Sequence, residues 1–131
     1  MPVLYVPQSE NTKILIIMDF NGNKPIYLQI CEHIFERIIS GELKTDSKIL
    51  SVRELGIELG VNPNTVMRSY ENLQESGVIY NKRGIGFFIS EKAEEIAVSK
   101  MKEEFLNQEM PIIAKKMKLL NINIEDLKQY F

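Results

Sequence analysis

Residues 51–77 read SVRELGIELGVNPNTVMRSYENLQESG, and this stretch decides the fold. It begins with a capping box, in which the Ser51 hydroxyl accepts the amide N–H of Glu54 and the Glu54 carboxylate reaches back to the cap. A helix is therefore predicted to start here. Gly60 predicts its end after about ten residues. The apolar residues between fall at three- and four-residue steps and share one face: Val52, Leu55 and Leu59.

A second helix is predicted after a very short connection. Asn62 is a good N-cap and Pro63 suits a first helical turn, so the helix should run to about Ser76, with Gly77 as its stop. Only residues 60–62 separate the two helices. Two short helices joined by so short a turn containing glycine form a helix-turn-helix.

The residues after Gly77 predict a β-hairpin. Two β-prone runs, VIY at residues 78–80 and FFI at residues 87–89, flank the sequence NKRGIG at residues 81–86. Glycine and asparagine favour a turn there, and the two basic side chains give the hairpin a positive tip. A helix-turn-helix followed directly by such a hairpin is a winged helix, and the hairpin is its wing.

The segment before this unit predicts one more helix, from Pro25 to Ser40, which ends at Gly41. Its apolar residues recur on one face: Tyr27, Ile30, Cys31, Ile34 and Ile38. Residues 13–20 are β-prone and close with the turn-like Asn21-Gly22-Asn23, whereas residues 1–12 are expected to form a loose arm. We therefore divide this part into an N-terminal arm with a short strand, residues 1–24, and a winged helix-turn-helix domain, residues 25–90.

Residues 91–131 predict charged, amphipathic helices. Pro111 should kink or break them, and Asn123 caps a last short helix that extends to Phe131. Apolar side chains recur among the lysines and glutamates of this segment: Ile96, Met101, Phe105, Ile112, Ile113, Met117 and Leu120. The predicted fold class is thus mainly α (α+β), a winged helix-turn-helix followed by a short C-terminal helical segment.

The composition excludes several classes of function. The chain has 131 residues, 44% apolar and 26% charged, which is typical of a folded globular protein. A single cysteine, Cys31, and a single histidine, His33, allow neither an internal disulfide nor a metal site, and no cofactor or enzymatic activity is expected. No apolar run approaches the ~20 residues of a membrane span and no signal peptide is visible, so we expect a cytoplasmic protein without a membrane partner.

The net charge alone does not favour nucleic acid. The chain has 16 Lys and Arg against 18 Asp and Glu, a formal charge of −2. Because winged helices also serve as protein-interaction modules, and an acidic protein suits that use, this alternative stays open. The distribution of charge favours DNA, since Arg53 lies in the first turn of its helix while Lys82 and Arg83 lie at the wing tip. Any one of these charges alone could be an ordinary solvated side chain.

The second helix of the helix-turn-helix has two distinct faces. On a helical wheel, Asn64, Thr65 and Arg68 fall within about 100° of one another. They present an amide, a hydroxyl and a guanidinium, groups that read base edges or hold phosphates. Such a helix is typical of DNA recognition. The apolar face lies opposite and can pack on the other helices: Val66, Tyr70 and Leu73.

These motifs resemble those of the GntR family of bacterial transcription regulators. The short C-terminal part resembles the YtrA-like subfamily, whose members have two C-terminal helices for dimerisation in place of a large effector-binding domain. Leu50, Pro63 and Met67 depart from the pattern of many relatives, so the operators of those relatives cannot be transferred. The resemblance rests on PIYLQI at 25–30, LSVREL at 50–55, LGVNPNTV at 59–66, Arg68, Tyr70, GVI at 77–79 and KRGIG at 82–86.

The resemblance implies a sequence-specific, DNA-binding transcriptional regulator, a repressor that binds a palindromic operator in double-stranded DNA as a homodimer. It implies DNA contacts at Arg53, Asn64, Thr65, Arg68 and the wing glycine Gly84. With the two helix caps and the wing charges, the expected DNA-binding set is Ser51, Arg53, Asn62, Asn64, Thr65, Arg68, Lys82, Arg83 and Gly84. The sequence indicates no particular small-molecule effector.

The helical segment, residues 91–131, has too few apolar residues for a core of its own, so its apolar stripe must be covered. A symmetry mate would cover it on both chains at once. The alternative is that the stripe folds back on its own winged helix. The expected dimerisation residues are Ile96, Met101, Phe105, Ile113, Met117 and Leu120.

Overall fold

A computed structural model describes residues 2–4, 17–19 and 24–131. Its C-terminal part also contains a π-helical turn at Phe105–Glu109 and a 3₁₀ turn at Lys128–Tyr130. The predicted fold class is confirmed. In chain order the elements are β1 (Pro2–Leu4), β2 (Ile17–Asp19), α1 (Ile26–Ile39), α2 (Val52–Leu59), α3 (Pro63–Glu75), β3 (Ile79–Lys82), β4 (Gly86–Ile89), α4 (Ala93–Glu104), α5 (Met110–Leu119) and α6 (Ile124–Leu127).

The core of the winged helix lies where α3 packs against α1 and α2. Val66, Tyr70 and Leu73 are the buried apolar residues of α3, and they lie on the face predicted for packing. Burial of each large apolar side chain contributes roughly 1.5–3 kcal/mol, which outweighs the weak helix propensity of a valine or tyrosine. This packing determines which face of α3 remains exposed. The residues of α1 in the same core are Ile30, Cys31, Ile34, Phe35 and Ile38.

The turn between α2 and α3 depends on a close approach at Gly56. A Cβ at this position would lie 2.9 Å from the Val61 carbonyl oxygen and 3.6 Å from the Pro63 Cα. Only glycine therefore allows α2 to pass so close to the start of α3. Gly60 ends α2 with φ 66°, a left-handed conformation that costs glycine little.

The wing is an antiparallel hairpin whose register pairs Tyr80 with Phe88 and Lys82 with Gly86. Strand β3 continues two residues beyond the predicted run, so the turn contains only residues 83–85, with Gly84 at φ 80°. The segment before α2 adds a third, irregular edge: the Ile49 N–H donates to the Phe87 carbonyl at 3.0 Å. The wing is therefore hydrogen-bonded to the segment before α2, in addition to its connection in sequence to α3.

At the N-terminus, β1 and β2 pair antiparallel, with Val3 opposite Met18. The expectation of a loose arm over residues 1–12 is therefore wrong for residues 2–4. Three residues give no periodic signal, and their strand is defined only by its pairing with a distant segment. The expected strand within residues 13–20 is confirmed at residues 17–19, and the turn expected at residues 21–23 lies outside the described residues.

The chain divides into two compact units, Met1–Val98 and Ser99–Phe131. The first unit extends past the predicted domain end at residue 90, because Ala93 and Ala97 of α4 are buried. Ile96 is half-buried, and its Cδ1 lies 3.4 Å from the position of a Cβ on Gly77. Ile96 thus packs near Gly77 inside the first unit, and its place at a dimer interface stays a prediction.

The second unit consists of residues 99–104 of α4, the π-helical turn, α5, α6 and the 3₁₀ turn. Pro111 lies in the first turn of α5 and does not end the helical run, because the wider turn just before it absorbs the change in hydrogen bonding. Asn123 caps α6 through a capping box with Asp126, as predicted. None of residues 99–131, all of which the structure describes, is buried in the single chain.

Candidate nucleic-acid interface

The exposed face of α3 contains the predicted recognition residues. Asn64 and Arg68 are exposed and Thr65 is half-buried, whereas Val66 and Tyr70 are buried behind them. Met67 lies on the same face with 40% of its surface exposed, an apolar group among polar ones. The first two turns of α3 therefore present an amide, a thioether and a guanidinium to solvent.

Two of the predicted DNA-binding residues serve as helix caps. The Ser51 hydroxyl accepts the Glu54 N–H at 3.1 Å, and the Glu54 carboxylate accepts the Ser51 N–H at 2.9 Å. The Asn62 side-chain oxygen accepts the Asn64 N–H at 2.8 Å. Each cap retains donors of its own, the Ser51 O–H and the Asn62 amide N–H groups. These caps hold the N-termini of α2 and α3, where the helix dipole favours a phosphate.

Arg53 is exposed in the first turn of α2, beside this cap. The pKa of Glu54 is lowered, mainly because its carboxylate accepts the Ser51 N–H. The positive charge of Lys48 makes a smaller contribution in the same direction. The Glu54 carboxylate is thus ionised and occupied by the cap.

Arg68 has a defined partner on another helix. Its guanidinium carbon lies over the ring of Tyr27, 4.0 Å from the ring centroid. Tyr27 belongs to the first turn of α1, and its carbonyl accepts the hydroxyl of the buried Ser69 at 2.8 Å. Adjacent residues of α3 therefore contact the same residue of α1, one through its side chain and one through its backbone.

The wing carries a small aromatic stack. The Tyr80 and Phe88 rings are stacked with centroids 5.7 Å apart, and the Tyr80 hydroxyl donates to Asp46 at 2.7 Å. The Lys82 ammonium lies over Phe88, 4.7 Å from its centroid. Arg83 is exposed in the turn next to Gly84. The two basic residues of the tip are therefore held differently, Lys82 against the hairpin and Arg83 at its end.

Lys48 is a basic residue of this region that the sequence analysis did not single out. It pairs with Phe88 as an isolated β-bridge, and its Cε lies 2.9 Å from the position of a Cβ on Gly86. Since its charge also acts on Glu54, Lys48 connects the wing with the N-terminus of α2. No local sequence pattern reveals this position, because it depends on a strand pairing across about 40 residues of chain.

The single cysteine of the chain lies in the core, and the single histidine is half-buried on α1. Burial raises the pKa of Cys31 to about 12, so the thiol stays protonated. Burial also lowers the pKa of His33. In the described ranges, no three His, Cys, Asp or Glu side chains are grouped so that they could hold a metal ion. No helix of the described part of the chain is long and apolar enough to cross a membrane.

Comparison with known proteins gives the same family from sequence and from structure. Residues 26–89 match the family described as bacterial regulatory proteins, gntR family. The chain is 40% identical over 108 residues to the uncharacterized HTH-type transcriptional regulator YhcF of Bacillus subtilis, covering 82% of this chain and 88% of that protein. It is also 40% identical over 79 residues to the HTH-type transcriptional repressor YtrA of Bacillus subtilis, covering 60% of this chain and 61% of that repressor.

Solved structures show a similar fold. A GntR family transcriptional regulator from Listeria monocytogenes superposes with a TM-score of 0.67 at 33% identity, covering 85% of this chain and 96% of that chain. The DNA-binding domain of AraR, solved in complex with operator ORX1, superposes with a TM-score of 0.52 at 30% identity and covers 55% of this chain and 93% of that one.

Proposed function

Because the chain belongs to the GntR family of bacterial regulatory proteins, we propose that it is a transcriptional repressor that binds a palindromic operator as a homodimer. The family and the winged helix-turn-helix make it a DNA-binding transcriptional regulator. A repressor is supported by the name of YtrA, which shares 40% identity over 79 residues. The observation that carries the proposal is the exposed, polar N-terminal half of α3 beside two capped helix N-termini.

We assign the contacts by the chemistry of each side chain. Asn64, Thr65 and Arg68 project from α3 and suit the base edges of a major groove. Ser51 and Asn62 lie at helix N-termini, where a hydroxyl or amide N–H suits a phosphate. Arg53 is exposed in the first turn of α2 and suits either a base or a phosphate.

The wing supplies positive charge without a rigid reading geometry. Arg83 next to Gly84 suits a phosphate or the minor groove, because a short flexible turn can follow the backbone of the duplex. Lys82 lies at the end of β3 and Lys48 on the segment that pairs with β4, and both suit phosphates. The acidic total charge of the chain does not oppose this role, since counterion release depends on the phosphates contacted locally.

The second unit supports assembly with a second copy of the chain. Phe105, Ile113 and Leu120 are 45%, 41% and 56% exposed, and further apolar side chains lie beside them in sequence: Leu106, Ile112 and Leu119. A helical segment with so many exposed apolar groups is stable only when something covers them. A two-fold partner covers the same surface on both chains and presents two recognition helices to the two half-sites of a palindrome.

Selection of bound sequences from random duplex DNA tests the proposal. The full chain should enrich one sequence with two-fold symmetry, with half-sites about one helical turn, ~34 Å, apart. The matched control is the Arg53→Ala, Arg68→Ala double variant, whose two exposed substitutions should keep the fold. Enrichment of no sequence by the wild-type chain would indicate a protein-interaction module, and enrichment of an unsymmetrical short site would contradict the dimer.

A further inference from the structure

The contact between Arg68 and Tyr27 restricts an arginine that would otherwise be free to rotate. The guanidinium carbon lies 4.0 Å from the centroid of the ring, which is stacking distance. Arg68 itself is exposed on α3, one turn after Asn64. An exposed arginine on a helix normally samples many rotamers, and ordering it costs side-chain conformational entropy. The ring of Tyr27 lowers that cost before any DNA is bound.

Tyr27 is itself held in place. Its carbonyl accepts the hydroxyl of Ser69, a residue with no exposed surface, at 2.8 Å. Hydrogen bonds also close the first turn of α1, which contains Tyr27, because the Leu28 and Gln29 N–H groups both donate to the Pro25 carbonyl. The ring is therefore carried by backbone that is fixed to α3 at the residue next to Arg68.

The geometry decides what such an arginine can recognise. A guanidinium that rests on a ring uses its face for that contact, while its N–H donors lie in its own plane and remain available at its edge. Two parallel donors in a fixed plane match the O6 and N7 acceptors of guanine in the major groove. A phosphate can also accept two parallel N–H donors, so the response of binding to base changes separates the two kinds of contact.

We propose that Tyr27 is a positioning residue that orients Arg68, and that Arg68 reads a guanine in each half-site of the operator. The inference rests on the proposed function and adds to it the identity of one base and the residue that prepares the contact. Neither the capping network of α2 nor the wing takes part in it.

The experiment measures protein variants against DNA variants. The duplex selected by the wild-type chain is compared with duplexes in which each guanine of the half-site is replaced in turn. Arg68→Ala should lose about 10–100-fold in affinity for the selected site and almost nothing for the duplex that lacks its guanine. Arg68→Lys should also lose this discrimination while it keeps the salt dependence of binding, because it keeps the charge but not the planar fork.

Variants of Tyr27 separate positioning from structure. Tyr27→Phe keeps the ring and should bind like wild type, whereas Tyr27→Leu should lose about 3–10-fold at the same base position. In the Arg68→Ala background, Tyr27→Leu should have no further effect. Tyr27→Gln is a second ring-free variant, and circular dichroism confirms that each variant is folded.

Four results would overturn the inference. An equal loss on all duplexes by Arg68→Ala, with a salt slope shallower by about one, would make Arg68 a phosphate contact. Additive losses in the double variant would show that Tyr27 does not act through Arg68. If the wild-type chain selects no sequence, both the proposed function and this inference fail, whereas selection of a palindrome that is insensitive to every guanine overturns the inference alone.

Discussion

Tyr70 shows how much of the domain can depend on one side chain. Its hydroxyl donates to the Leu50 carbonyl at 2.6 Å, and its ring meets Phe87 edge to face with centroids 5.0 Å apart. It thus joins α3, the segment before α2 and the wing. Burial raises its pKa far above the ordinary value, so the hydroxyl keeps its proton.

We expect Tyr70→Phe to destabilise the protein by about 1–2 kcal/mol, because the Leu50 carbonyl loses its partner while the ring contact survives. Urea unfolding followed by circular dichroism measures the change. Tyr80→Phe is the matched control, since it removes a hydroxyl bonded to the exposed Asp46 and should cost less than about 0.5 kcal/mol. An equal loss of stability in both variants would show that the Tyr70–Leu50 hydrogen bond contributes no more than the exposed Tyr80–Asp46 one.

The capping box at Ser51 predicts a dependence of stability on pH. The pKa of Glu54 lies below its ordinary value of 4.5 because the carboxylate accepts the Ser51 N–H, so the unfolded chain binds this proton first. The contribution of Glu54 is therefore complete above that ordinary pKa and is lost as the pH falls through the lower, folded pKa. The effect is small, since the carboxylate is exposed and screened.

Glu54→Gln should accordingly be less stable than wild type near pH 7, and the difference should vanish at a pH low enough to protonate Glu54 in the folded protein as well, where both side chains are neutral. Urea unfolding of the two proteins at both pH values tests this expectation. A difference that stays constant between them would assign the effect to packing or geometry instead of charge.

At the scale of helices and strands, the sequence predicts best what is local. The bounds of α2 and α3 follow from the caps at Ser51 and Asn62 and from Gly60 and Gly77, because those signals lie within a few residues of the ends they set. The edge strand around Lys48 and the strand β1 could not be found this way, since backbone pairing with a distant segment defines them.

The residues of the candidate interface likewise differ in whether the sequence alone could identify them. Asn64, Arg68 and Arg53 could be chosen from helical spacing alone, because burial of the opposite face leaves them exposed. The role of Tyr27 could not, since its position in the apolar pattern of α1 predicted a core residue. In the structure, the ring of Tyr27 contacts the guanidinium of Arg68 on α3. Contact between side chains of different helices is a property of packing angles that no single-helix pattern contains.

The helix-turn-helix depends on the space at Gly56. We expect Gly56→Ala to destabilise the protein by about 1–3 kcal/mol, because the new Cβ would meet backbone atoms that cannot move aside cheaply. This exceeds the gain in helix propensity, which is at most about 1 kcal/mol. Thermal unfolding gives the measurement. Gly60→Ala is the control, with a strained φ but no atom within 4 Å of its Cβ. A stabilised Gly56→Ala would show that α2 can shift freely.

In the wing, we expect Arg83→Ala to weaken binding to all duplexes and to make the salt slope shallower by about one. Lys82→Ala should have the smaller effect, because its ammonium must leave the Phe88 ring to reach a phosphate. Titrations at several salt concentrations decide between them. The assignment of the wing fails if neither variant changes the affinity or the slope.

For the whole molecule, the division after Val98 supplies a way to separate DNA binding from assembly. A chain ending at Val98 keeps the buried Ala93 and Ala97, whereas one ending at Ser90 removes them from the core. The shorter chain should therefore be less stable, and the longer one should fold alone.

We expect the full chain to sediment as a dimer and the chain ending at Val98 as a folded monomer with much weaker affinity for a palindromic site. The companion variant is Phe105→Asp with Ile113→Asp in the full chain. It replaces two exposed apolar side chains of the expected interface by charged ones without shortening the protein. A full-length monomer at micromolar concentration contradicts the homodimer, as does a truncated chain that still dimerises.

The burial of Cys31 has a practical consequence for the whole fold. This is the single cysteine of the chain, and its Sγ donates to the Ser69 carbonyl at 3.6 Å, within the contact between α1 and α3. A thiol reagent can reach it only when those two helices separate, so the labelling rate of the unmodified protein reports how often the domain opens. The protein thus contains its own probe of the separation of α1 from α3, and we expect DNA bound at the neighbouring Arg68 to slow alkylation.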